Sequence, residues 1–167
     1  MPTFATLWAN HPTIKGDGPV LDRKVYENQC AISLSAALIR SGVDMHSYPG
    51  AKSWDKGKVK YALRAQELAN WLSTPACKLP ISREKMSAKE AFGGKTGING
   101  RTGIVFLQNY WGPGAQGDHI DLWNGSRMTD WRSWARINVR IGDVGVHSLG
   151  WGSDPLKAQN VWFWGLA

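Results

Sequence analysis

From Cys30 onward the apolar positions fall at helical spacing. Ala31, Leu34 and Leu38, flanked by Ala37, recur every three or four residues, and Gly42 follows as a stop signal. A second run at the same spacing, Leu63, Leu68 and Leu72 with Trp71, predicts a helix over about 61–72. A third, short helix is expected from Ser87 to the pair Gly93-Gly94, because Ser87-Ala-Lys-Glu90 has the form of a capping box. Beyond Gly100 the periodicity changes. Residues 102–108 are a β-prone run of branched and aromatic residues, and 118–123, 126–130 and 160–166 read as further strands, with a helical stretch at 131–136 between them. Upstream of Cys30 the pattern supports only a short apolar segment at Leu7-Trp8 and a glycine-containing loop at 15–18. Helices first and strands later is an α+β arrangement, with the Cys30 helix packed on an antiparallel sheet.

The end of that helix carries the first chemical signal. Glu27, Asn28 and Gln29 are polar cap candidates, so Cys30 falls in or just before the first turn, where unpaired amides and the helix dipole favour a thiolate. The same amides suit the oxyanion of an attacked carbonyl, with Gln29 or Asn28 as candidates for a second donor. The plain reading, a small hydrophobe at a helix start, is not displaced by position alone. The second signal is His119-Ile-Asp-Leu-Trp123 followed by Asn124-Gly125, the preferred pair for a two-residue hairpin turn. In that register Trp123 faces Ser126, and His119 faces Asp130 with Cβ atoms roughly 5 Å apart. Asp121 shares the face of His119 one pair further along, and Asp118 alternates to the other side. A thiol, an imidazole and a carboxylate are the groups of a cysteine hydrolase.

The order of these residues is that of NlpC-type papain-like amidases. More narrowly, Glu27-Asn28-Gln29-Cys30-Ala31, the stretch Gly117-Asp-His-Ile-Asp-Leu-Trp-Asn-Gly125 and the chain length resemble the type VI secretion amidase effectors, fourth family. The resemblance covers essentially the whole chain, although only the Cys and His blocks are specific. It implies one papain-like domain over 1–167, with Cys30 as nucleophile, His119 as general base and Asp130 as orienting acid. It also implies cleavage of peptidoglycan stem peptides between D-glutamate and meso-diaminopimelate, delivery by the type VI secretion machinery into a competitor's periplasm, and a cognate immunity protein. Residues 45–99 hold no motif that transfers groove contacts.

Composition narrows the alternatives. The chain of 167 residues is 43% hydrophobic, enough for one core, and has no apolar run that spans a membrane. Met1–Trp8 lacks the basic and apolar regions of a signal peptide, so the protein is expected to be made in the cytoplasm. Its four histidines are scattered and neither cysteine belongs to a paired motif, so no metal and no cofactor are expected. A net charge of +7 suits a polyanion such as the cell wall. Its lysines and arginines are dispersed, the Arg132, Arg136 and Arg140 row reads as a solvated helix face, and no nucleic-acid-binding motif accompanies them. Of the ten tryptophans most are assigned to the core, Trp162 and Trp164 to one strand face, and Trp111 to either core or substrate groove. Cys77 reads as a free structural thiol, although pairing with Cys30 is open. Two other functional classes also remain open: a wall-binding module in which Cys30 is structural, and a cysteine hydrolase acting on proteins as a deamidase or transglutaminase.

Overall fold

The fold is described by a computed structural model covering residues 1–94, 96–111, 117–129 and 155–167, apart from the side chains of Tyr110, Trp111 and Pro155. Two short helices open the chain, where the sequence pattern supports only an apolar segment. Helix α1 (Phe4–Asn10) is capped by Thr3, whose hydroxyl accepts from the Thr6 amide at 3.2 Å. Helix α2 (Pro12–Lys15) starts on a proline and ends at Gly16 with φ of 74°. Each buries only one or two side chains, too few to establish a period.

Helix α3 (Cys30–Arg40) matches its expected span and is enclosed on nearly every side: Ala31, Ile32, Leu34, Ser35, Ala36, Ala37 and Leu38 are all buried. Its small residues allow neighbouring elements to come close, and Gly42 follows its end at φ of 85°. Helix α4 (Ala65–Leu72) begins later than expected. Residues 51–63 instead fold back on themselves, with a bridge between Lys52 and Ala62 and hydrogen bonds from Ser53 N to Tyr61 O (2.9 Å) and Leu63 N to Ala51 O (3.0 Å). The Ala62 amide is taken by Ser35 of α3 at 3.1 Å, which fixes it outside a helix.

Strand β1 (Arg83–Met86) was not legible, being four residues with no apolar alternation. Helix α5 (Ala88–Gly93) carries the expected capping box between Ser87 and Glu90. Strands β2 (Gly103–Trp111), β3 (Gly117–Trp123) and β4 (Asn160–Gly165) complete an antiparallel sheet in the order β1-β4-β2-β3. Register divides the core between its faces. Ile104, Phe106, Ile120, Leu122, Trp162 and Trp164 pack with α1, α3 and α4, while Val105, Leu107, Val161 and Phe163 pack with α5. Trp162 and Trp164 do share one face, 6.3 Å apart between centroids. Trp71 and Trp123 are also buried, and Trp54 is exposed. Cys77 is buried and free, and Cys30 is free as well, so no disulfide joins them.

The turn after β3 departs from the expected two-residue form. Trp123 bridges Met128 rather than facing Ser126, and Asn124 N donates to Arg127 O at 3.1 Å. The Asn124 side chain is responsible: its Oδ1 accepts from the amides of Ser126 (3.1 Å) and Arg127 (2.9 Å), closing a longer loop around Gly125 at φ of 95°. The register that would set Trp123 opposite Ser126 is therefore not the one this turn imposes. Asp130, the 131–136 helix and the Arg132, Arg136 and Arg140 row lie outside the described residues.

Gly103 opens the interior strand β2, paired with both Trp123 and Gly165. A Cβ there would collide with the carbonyl oxygen of Trp164 and the ring of Phe163. Gly103→Ala is expected to lower unfolding free energy by about 1–3 kcal/mol in urea titrations, the range for overpacking a filled core.

Candidate active site

Cys30 is the first residue of α3, partly buried and packed against the main core. The backbone entering the helix is shaped by its own side chains. Asn28 Oδ1 accepts from the Cys30 amide at 3.3 Å, and Gln29 Nε2 donates to Tyr26 O at 2.5 Å. Both candidate oxyanion donors thus make local backbone contacts, and Gln29 Oε1 is buried with no hydrogen-bond partner among the described residues. Ser33 N is already committed to Gln29 O at 2.8 Å.

His119 lies on β3, opposite Leu107 of β2, and α3 packs across that strand. The carboxylate beside it is Asp121, whose Oδ2 is 3.7 Å from His119 Nε2. That separation is ion-pairing range, slightly beyond a good hydrogen bond. Asp118, by contrast, turns to the Asn109 amide at 2.9 Å, beside the irregular pairing between Leu107 and Trp111. Trp111 ends β2, with its side chain outside the description.

Asp121 is itself deeply buried, and the longer turn explains how it is tolerated. Bringing the chain back through Met128 sets Thr129 beside Asp121, donating from its amide to Oδ2 (3.1 Å) and from its hydroxyl to Oδ1 (2.5 Å); Leu122 N adds a third bond to Oδ1 at 2.7 Å. On the far side stands His11, with Nε2 at 3.7 Å from Oδ1. His11 is held by accepting the Thr13 amide on Nδ1 (3.3 Å), which places its proton on Nε2, toward the carboxylate. The α1 helix before it is tied to the end of α3 through Asn10 and Ser41 at 3.1 Å, and Arg127 of the turn lies over the Trp8 ring at 5.0 Å. A carboxylate between two imidazoles is thus assembled from two segments remote in sequence, β3 with its turn and the junction of α1 and α2. The His119–Asp121 half was weighed from strand alternation. His11 carried no signal, because nothing near it in sequence marks its partner.

Charge follows from this burial. Desolvation pushes the Asp121 carboxyl up, but the His119 and His11 contacts and the Thr129 hydroxyl outweigh it and hold the group below the usual carboxylate value. Desolvation lowers His11, against the raising effect of Asp121, with His119 and Arg40 adding to the lowering. His11 is therefore neutral at pH 7 while Asp121 is ionised.

A lowered folded-state value means that the unfolded chain takes the His11 proton first. The stability contributed by neutral His11 is complete above the unfolded value of 6.5 and is lost as pH falls through the folded value. Unfolding free energy is expected to decline from pH 6.5 downward with a slope of up to about 1.4 kcal/mol per pH unit. His11→Asn, which keeps an acceptor for Thr13, should flatten that decline. The Asp121 contribution begins to fall only below its unfolded value of 3.8, so denaturant titrations across this range separate the two groups.

The family described as type VI secretion system (T6SS), amidase effector protein 4, matches residues 26–164, more than four fifths of the chain. No curated protein sequence matches. Among solved structures, the effector–immunity system Tae4/Tai4 from Salmonella typhimurium aligns over 100% of this chain and 99% of its own, with a TM-score of 0.65 at 19% identity. The Tae4–Tai4 complex from Enterobacter cloacae aligns over the same shares with a TM-score of 0.63 at 21% identity, and the Enterobacter cloacae effector Tae4 alone gives 0.61 at 21% over 100% and 98%. The fold is accordingly the papain-like, NlpC-type α+β fold expected from the sequence. With a cysteine heading a buried helix and a histidine on the strand beneath it, the chain belongs to the fourth family of type VI secretion amidase effectors, antibacterial peptidoglycan hydrolases of the cysteine class.

Proposed function

We propose that this protein cleaves the bond between D-glutamate and meso-diaminopimelate in peptidoglycan stem peptides, with Cys30 as nucleophile and His119 as general base. The observation that carries the reading is the family match over residues 26–164, which includes both the Cys30 helix and the His119 strand. His119 takes the thiol proton, and the sulfur adds to the amide carbonyl carbon. The tetrahedral oxyanion is held by amides of the first turn of α3. As the C–N bond breaks, protonated His119 delivers its proton to the leaving amine. Water, deprotonated by His119, then attacks the thioester carbonyl, and the C–S bond breaks to release the acid and restore Cys30. Asp130, placed after His119 in the family order, orients the imidazole, and ionised Asp121 adds a fixed negative charge beside it that favours the imidazolium. Trp111, Asn28 and Gln29 are assigned to substrate binding.

Solved relatives include effector–immunity complexes, and a cognate immunity protein is proposed for this chain as well. Delivery is by the type VI machinery, from the producer's cytoplasm into a target cell's periplasm. There the substrate is exposed and no helper cofactor is required.

Incubation of wild type and Cys30→Ala with Gram-negative sacculi, followed by mass spectrometry of released muropeptides, tests the assignment. Wild type should release fragments ending in D-glutamate, and Cys30→Ala should release at least roughly a thousandfold less. Asp130→Asn should retain binding and lose most turnover. Intact muropeptides from folded wild-type protein would sink the reading in favour of protein substrates.

A further inference from the structure

Residues 51–63 form a hairpin that sequence patterning did not mark and the reaction above does not use. It is anchored at both ends to the nucleophile region. At its base, the buried Ser35 hydroxyl of α3 accepts from Ala62 N at 3.1 Å and donates to Ile32 O at 3.0 Å, one and a half turns from Cys30. Further out, the Trp54 amide donates to Tyr26 Oη at 3.0 Å, and the Trp54 ring lies 4.5 Å from the Tyr26 ring. Tyr26 is buried, and its carbonyl holds Gln29, the residue before the nucleophile. Only three residues lie between Tyr26 and Cys30, so the Cα of Tyr26, on whose side chain Trp54 packs, stands within about 15 Å of that of Cys30.

On this rigid mount Trp54 is 67% exposed, whereas Trp71, Trp123, Trp162 and Trp164 are buried. A large aromatic fixed at its backbone and backed by a second ring, yet open to solvent, has nothing to gain from exposure in the free protein. Val25, the chain neighbour of Tyr26, is exposed as well. The hairpin is cationic: Lys52, Lys56, Lys58 and Lys60 are all exposed. The one acidic group, Asp55, is turned inward to the Gly57 amide at 2.9 Å and is near Lys60.

We propose that Trp54 and the lysines of this hairpin form a substrate platform that holds the anionic glycopeptide of the wall against the Cys30 site. The inference rests on the proposed peptidoglycan reading and extends it to a binding surface. The chemistry matches on two counts. Sugar rings and stem-peptide carbon chains stack on an open indole, and free stem carboxylates pair with ammonium groups. Continuity with Tyr26 and Gln29 directs whatever is held there toward the nucleophile.

Sedimentation of Cys30→Ala protein with purified sacculi measures binding without turnover. Adding Trp54→Ala should weaken binding by roughly tenfold, the loss expected of a central aromatic anchor. Trp54→Phe should recover part of it. Changing Lys56, Lys58 and Lys60 together to Gln should reduce the dependence of binding on salt. In the active protein Trp54→Ala should raise KM with kcat within about twofold, and iodoacetamide should label Cys30 at the wild-type rate, reporting an intact site. Unchanged binding and KM in Trp54→Ala, with wild type still cleaving sacculi, would overturn the platform alone and leave the hairpin to an immunity protein. Wild type that fails to cleave sacculi would overturn the peptidoglycan reading and the platform with it.

Discussion

Enclosure of α3 is the constraint from which the rest of the molecule follows. A helix enclosed on nearly every side has little solvent face on which to display reactive groups. Arg40 is exposed at its C-terminal end, and at its N-terminal end Cys30 is only partly buried. Ala31, Ala36 and Ala37 make this enclosure achievable, since small side chains let the sheet, the terminal helices and the 51–63 hairpin all approach one axis. Ser35 is the single polar intrusion into that interior, and it is satisfied twice over.

The second constraint is the ionised Asp121 beside the sheet. Charge in such a place is costly unless hydrogen bonds and countercharges replace the lost water. Thr129, the Leu122 amide and two imidazoles surround it, drawn from β3 itself, the turn after it and the junction of α1 and α2. The turn after β3, the junction of α1 and α2, and the histidine strand are thereby locked to one point. A group placed for electrostatics near His119 also determines how the N-terminal helices dock.

How legible this was depended on whether the decisive contacts were local. The Cys30 helix, the capping box at Ser87 and strands β2 and β4 announce themselves through spacing and composition over a few residues. The turn at Asn124 was misread because the same residue serves two geometries: followed by glycine it favours a tight hairpin, but its carboxamide can also accept two amides and open the loop. That choice moved the expected partner of Trp123 by two residues. His11 and the 51–63 hairpin were illegible for another reason. Their partners, Asp121 and Ser35, are distant in sequence, and neither segment has a hydrophobic period. The candidate site was thus readable in its Cys and His, and unreadable in the buried contacts that surround them.

The two cysteines bear on durability as well as mechanism. Cys77 is buried beneath the end of α4, where its Sγ faces the Leu72 carbonyl at 3.7 Å, and it is not joined to Cys30. In an oxidising compartment many thiol enzymes silence themselves by forming an internal cross-link. Here the second sulfur is locked in the interior, so that route requires part of the core to open first. Oxidation of Cys30 is then left to encounters with outside molecules, such as peroxide or a foreign thiol. How long the protein survives after delivery depends on the chemistry of its surroundings, with little contribution from a redox clock of its own.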